Sequence, residues 1–127
     1  MVGPSPTQLL GAARLTLGKK GGGWGSAWPR AVAFLARQAL ESGVELLWVG
    51  DLRGLRACSF RDQLACLPTY LGESDPARRA RQTWGSLSEA CHAHPYELAP
   101  TAVELEGWMD DVELVLNSIN QRAAMYP

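Results

Sequence analysis

Apolar side chains recur every three or four residues along most of this chain, and no six-residue stretch alternates strictly between apolar and polar positions. This spacing places the apolar residues on one face of an α-helix, so it is typical of amphipathic helices rather than strands. Five segments show the pattern, at about residues 6–17, 28–49, 57–71, 76–94 and 101–119. Because short polar connections join them, the pattern predicts an all-α fold, an antiparallel bundle of four to five helices.

The first and last segments begin with clear capping signals. Ser5 is a favourable N-cap, Pro6 suits the first helical position, and Gln8 stands where a capping box requires it. Thr101 and Glu104 repeat the capping-box spacing before the fifth segment. Helices are therefore expected to begin at these two points.

The second segment, from Trp28 to Val49, carries a glycine within its apolar face. Gly43 costs about 1 kcal/mol relative to alanine in a helix interior. We therefore expect a neighbouring helix to approach closely there. Arg37 and Glu41 lie four residues apart on the polar face, a spacing that favours an ion pair.

Length and composition indicate one domain. The chain has 127 residues, of which 46% are hydrophobic and 20% charged, within the ordinary globular range. We expect a single helical-bundle domain over residues 1–127. It would have an N-terminal arm over 1–5, a flexible glycine-rich loop over 18–26 and a frayed C-terminal tail over 120–127.

Charge and cysteine content narrow the classes of partner and compartment. Lys+Arg 12 against Asp+Glu 13 gives a net charge of −1, so no global positive field attracts nucleic acid. No secretory signal or membrane-spanning run is recognisable. Three cysteines without a CxxC spacing indicate buried free thiols. We therefore expect a cytoplasmic protein without membrane contact or cofactor.

The densest polar cluster runs from Ser88 to Glu97 and contains both histidines, His92 and His94. One interpretation is structural, because histidines at a helix C-terminus can bond its free carbonyls. A second interpretation is a metal site formed by Cys91, both histidines and either Glu89 or Glu97. We expect no metal, because positions 91 and 92 point about 100° apart on a helix and no second cluster supplies ligands.

The third interpretation is an acid–base site that cleaves RNA. Histidine titrates near neutral pH, and an arginine would be needed to hold the phosphate. The candidate catalytic residues are the two histidines with three others, Tyr96, Arg79 and Arg81.

A family resemblance bears on this interpretation. The stretch from Arg30 to Glu41, which contains Phe-Leu-Ala-Arg-Gln-Ala-Leu-Glu, resembles a helix of HEPN domains. These are small all-α bundles of bacterial toxin–antitoxin and phage-defence systems. The run from His92 to Thr101 resembles the layout in which a histidine precedes the last helix of the family. In active HEPN ribonucleases four to six residues separate an arginine from this histidine, whereas here ten residues separate Arg81 from His92.

Two tryptophans stand apart from the predicted core stripes. Trp24 lies in the glycine-rich loop, and Trp48 lies on the polar side of the second segment. Aromatic side chains without a core partner often anchor interfaces. Trp24, Trp48 and Glu97 are therefore the candidate binding residues, and we expect a homodimer or a protein partner.

The sequence supports two hypotheses for function. The first is a non-catalytic, HEPN-like bundle that binds another macromolecule, in a toxin–antitoxin or phage-defence setting. The alternative is a divergent, metal-independent HEPN-like ribonuclease that uses His92 or His94. The missing arginine-to-histidine spacing favours the first hypothesis and leaves enzymatic activity uncertain.

Overall fold

A computed structural model describes residues 3–19, 22–72, 74–92 and 98–125, without the side chains of 22–24, 74 and 125. These residues form five α-helices and two 3₁₀ segments, and no strand occurs among them. The predicted all-α helical bundle is confirmed. The helices are α1 Pro6–Gly18, α2 Trp28–Glu45, α3 Phe60–Leu71, α4 Ser74–Cys91 and α5 Ala102–Met125, and the 3₁₀ segments are Gly22–Ala27 and Gly50–Ala57.

Both predicted capping boxes are present. The Ser5 N–H donates to Gln8 Oε1 at 2.8 Å, and the Gln8 N–H donates to Ser5 Oγ at 3.1 Å. Thr101 and Glu104 exchange the equivalent bonds at 3.0 and 3.1 Å. Because each box satisfies two otherwise free backbone groups, the starts of α1 and α5 are set by local sequence.

Helix α2 is the centre of the bundle and packs against α1, α4 and α5. Its buried face is rich in small side chains, which lets three neighbouring helices approach its backbone. Further helix–helix contacts are those of α4 with α3 and α5, and of α5 with α1 and α3. The buried residues of α2 are Pro29, Val32, Ala33, Ala36, Ala39, Leu40, Gly43 and Val44.

The close approach expected at Gly43 is confirmed. A Cβ built at this position would overlap Leu116 Cδ2 of α5 and lie 3.8 Å from Pro6 Cβ of α1. The end of α2 is therefore wedged between the middle of α5 and the start of α1. Since Pro6 starts α1 and Gly43 lies near the end of α2, these two helices run antiparallel.

The prediction that α2 reaches Val49 is wrong. The α-helix ends at Glu45, and hydrogen bonds of the tighter i to i+3 type carry the chain to Trp48. This change of winding turns Trp48 away from the polar side of the helix. The expectation that Trp48 lacks a core partner is therefore also wrong, because its side chain is 0% exposed.

Trp48 joins the end of α2 to α3 through polar and aromatic contacts. Its Nε1–H donates to Gln63 Oε1 at 2.9 Å, and the Gln63 amide donates to the Cys58 carbonyl at 3.1 Å. The Tyr70 ring meets the indole edge to face, with centroids 5.3 Å apart. The hydrogen bond satisfies an indole N–H that is shielded from water.

The C-terminal tail and the first loop differ from the prediction. Helix α5 continues to Met125, so the tail expected over 120–127 is helical for most of its length. Burial of Leu116 and Ile119 holds α5 against the core well beyond the middle of the helix. Part of the loop expected over 18–26 forms the 3₁₀ segment Gly22–Ala27, in which Gly25 has a φ of 58°. Within the described ranges, no helix is long and apolar enough to span a bilayer.

The contact at Gly43 predicts the effect of a single methyl group. In Gly43→Ala the new methyl displaces Leu116, and overpacking of this kind costs about 1–3 kcal/mol, against a helix-propensity gain of about 1 kcal/mol. We expect the free energy of unfolding in urea to fall by about 1 kcal/mol. The control is Gly107→Ala in α5, where no atom lies within 4 Å of the new Cβ, and a gain of about 0.5–1 kcal/mol is expected. Equal stability of the two variants would contradict the close contact between Gly43 and Leu116.

The buried hydrogen bond of Trp48 predicts a second stability effect. Gln63→Met keeps the volume of the side chain but leaves the buried indole N–H without an acceptor, which costs roughly 1–3 kcal/mol. Urea unfolding measures the loss. Gln82→Met, at an exposed position of α4, should change stability by less than about 0.5 kcal/mol. A Gln63→Met variant as stable as this control would contradict the contact.

Candidate functional site

An apolar groove lies between the N-terminal half of α2 and the C-terminal end of α4. Its volume is about 450 Å³. Phe34 stands in its wall with 52% of the residue exposed, and it is the one aromatic residue among the exposed large apolar residues of the described chain. We call this surface the α2–α4 groove, and its lining residues are Ala27, Arg30, Ala31, Phe34, Leu35 and Cys91.

Arg30 fixes the end of α4 against the start of α2. Its Nε and Nη2 groups donate to the carbonyl oxygen of Cys91, the last residue of α4, at 3.3 and 3.2 Å. The final carbonyls of a helix carry partial negative charge and have no partner within the helix. A cation there stabilises the end of α4 and joins it to the start of α2.

The Cys91 thiol is part of the groove lining. Burial raises its pKa, although the nearby Arg37 and Arg30 cations act in the opposite direction. The thiol is therefore neutral at pH 7. Since the thiolate is the nucleophilic form, Cys91 serves as an apolar wall of the groove rather than as a reactive group.

The Glu41 carboxylate accepts hydrogen bonds from partners on two helices. Arg37 Nε donates to Glu41 Oε1 at 2.9 Å, which confirms the predicted pair and raises the pKa of Arg37. Trp84 Nε1 of α4 donates to the same oxygen at 3.1 Å, and the Arg37 guanidinium lies 5.5 Å from the indole centroid. Phe60 of α3 packs against the same indole. These contacts bind α2 to α4. Because the Glu41 carboxylate is already bonded in them, it does not face the groove as a free charge.

Comparison with models of known protein families, with curated proteins and with solved structures found no match.

Arg79, a candidate for holding a phosphate, is occupied by two carboxylates. It donates to Asp75 at 3.0 Å through Nε and to Asp111 of α5 at 3.0 Å through Nη1. Hydrogen bonds from Arg78 and Arg79 lower the pKa of Asp75, so the carboxylate stays charged at neutral pH. Arg79 therefore ties the start of α4 to α5.

The structure does not bring Arg79 and His92 together. His92 is exposed and follows the last residue of α4, with its backbone N–H bonded to the Glu89 carbonyl at 3.1 Å. It lies thirteen positions after Arg79, or about 20 Å of helical rise. The Arg79 side chain also points toward Asp75, away from His92. Arg81 is exposed on α4.

Several predicted site residues lie outside what the structure describes. His94, Tyr96 and Glu97 belong to the undescribed range 93–97, and the side chain of Trp24 is likewise outside the description. Trp48, fully buried, presents no surface for a partner. No group of three or more His, Cys, Asp or Glu residues suited to a metal occurs in the described part of the chain.

Sequence reasoning missed the groove, although one signal for it was present. Phe34 falls outside the apolar stripe of the second segment, so a large aromatic residue stands on the side that should face water. Its partners in the groove could not be found from spacing. Cys91 lies 57 residues further along the chain than Phe34, and only the packing of α4 on α2 brings them together.

The thiols report on the groove directly. Cys58 is exposed, contrary to the expectation that all three cysteines are buried, whereas Cys91 is half-buried with a raised pKa. Iodoacetamide should modify Cys58 several-fold faster than Cys91 at pH 8, as measured by peptide mass spectrometry. Raising the pH should narrow the difference, because the Cys91 thiolate forms only above the ordinary thiol pKa. Equal rates in the folded protein would contradict the placement of Cys91, and equal rates in urea are the control.

Proposed function

We propose that the protein is a non-catalytic, HEPN-like binding module that docks a partner protein on the α2–α4 groove. The observation that carries the proposal is the half-exposed Phe34 in the wall of an apolar groove of about 450 Å³. Aromatic side chains beside such cavities are typical of binding hot spots. The groove is large enough for one or two apolar side chains of a partner.

The chemistry of the groove supports binding rather than catalysis. Burial raises the pKa of the Cys91 thiol and keeps it neutral. The nearest glutamate of α2, Glu41, is already hydrogen-bonded to Arg37 and Trp84. Arg79 is engaged by Asp75 and Asp111. The described lining residues of the groove include no histidine or carboxylate that could act as a general base.

The biological setting is part of the proposal. The resemblance of residues 30–41 to HEPN domains points to a bacterial toxin–antitoxin or phage-defence system in the cytoplasm. Proteins of such systems work by contact with a partner. A second copy of this chain is the other candidate occupant of the groove, and light scattering at high concentration detects it.

Selection of short peptides from a random display library on the immobilised protein tests the proposal. Peptides that survive selection are synthesised, and their affinities are measured by fluorescence anisotropy. We expect Phe34→Gln to weaken binding about thirtyfold, because truncation of a hot-spot aromatic costs about 2 kcal/mol. Bound peptide should also protect Cys91, and not Cys58, from iodoacetamide.

The matched control is Leu15→Gln, which replaces an apolar residue of α1 that is 60% exposed. This variant should bind the selected peptides as the unaltered protein does. Failure to enrich any peptide, or equal binding by Phe34→Gln and Leu15→Gln, would overturn the proposal.

A further inference from the structure

The charge on the described lining of the α2–α4 groove comes from an arginine. Arg30 is the single charged side chain among its described lining residues. The nearest acidic residue of α2, Glu41, is held by Arg37 and Trp84. Glu89 of α4 lines a different groove, beside Leu98 and Trp108 of the following segment. The α2–α4 groove is therefore an apolar surface with a positive edge.

Arg30 retains donors for a second acceptor. A guanidinium group has five N–H donors. Two of its nitrogens, Nε and Nη2, bond to the Cys91 carbonyl, and the residue is exposed. The third nitrogen, Nη1, has no hydrogen-bond partner among the described residues. A carboxylate that approaches from solvent can bond to it without breaking the contact with α4.

This charge disfavours a second copy of the chain as the occupant. Two copies that met groove to groove around a two-fold axis would bring Arg30 of each toward the other, and the described lining residues include no acidic side chain to separate them. A nucleic acid also fits poorly, because phosphate backbones are bound by several cations rather than by one beside an apolar wall.

We infer that the partner docks an apolar side chain beside Phe34 and places a carboxylate on Arg30. This inference rests on the proposed function of the groove and names the chemistry of its partner, an acidic amphipathic protein segment. Arg30 and Phe34 are one helical turn apart on α2, or about 6 Å. The carboxylate of the partner therefore lies about one helical turn from its apolar anchor, or two positions away in an extended segment.

A double-mutant cycle on the selected peptides tests the inference. We expect the peptides to be enriched in Asp or Glu at one of these two spacings from the anchor. Replacing that residue by its amide should weaken binding to the unaltered protein about fivefold, the upper range for a pair at the edge of an interface. Against Arg30→Met the same replacement should have almost no effect. Arg53→Met, in the 3₁₀ segment Gly50–Ala57, is the control and should behave as the unaltered protein does.

A charge-reversing variant keeps the test informative if Arg30→Met loosens the end of α4. Selection on Arg30→Glu should enrich Lys or Arg at the position where the unaltered protein enriches acids. The inference would be overturned if replacing the acidic peptide residue by its amide weakened binding equally to the unaltered protein and to Arg30→Met. It would also be overturned if Arg30→Glu selected peptides with the same charge preference as the unaltered protein. If binding depends on Phe34 but shows no coupling between Arg30 and the peptide carboxylate, only the inference about the partner's charge is overturned. If binding does not depend on Phe34, the proposed function is overturned as well.

Discussion

The close packing of α1, α4 and α5 around α2 is the constraint on which the rest of the molecule depends. Small side chains along one face of α2 permit it, and Gly43 is the extreme case because Leu116 occupies the space where a side chain would stand. Such packing gains dispersion energy only at short range, so a single methyl group matters there. The geometry of every surface built on α2 follows from this fit.

The two sides of α2 have different roles because of this arrangement. The buried side of α2 packs against three helices. The other side carries Arg30, Arg37 and Glu41, which bond to residues of α4 or to each other. Arg37 and Glu41 bind Trp84 in the middle of α4, and Arg30 holds the final carbonyl of that helix. These contacts join α2 to the middle and to the final residue of α4, and the groove lies between the two helices.

Local signals predicted the helices and the starts of α1 and α5, and they failed where tertiary packing decides the outcome. They placed the start of the third helix at about residue 57, whereas α3 begins at Phe60. Ser5 and Thr101 cap their helices as expected, because a capping box involves only neighbouring residues. Gly43 was interpreted correctly, since a glycine within a helix needs a reason in packing. The end of α2 at Glu45 has no comparable signal, and an error of four residues there put Trp48 on the wrong side of the helix. The groove was beyond prediction because it joins residues of α2 and α4 that only the fold brings together.

Native-state hydrogen exchange of α2 tests the central claim most directly. If this helix is the centre of the bundle, the amides of its buried stretch from Val32 to Val44 exchange only through global unfolding. Their opening free energy then equals that of urea unfolding, while amides of the 3₁₀ segment Gly50–Ala57, which has no buried residue, open at lower cost. Exchange of the α2 amides at free energies as low as those of the 3₁₀ segment would contradict the account.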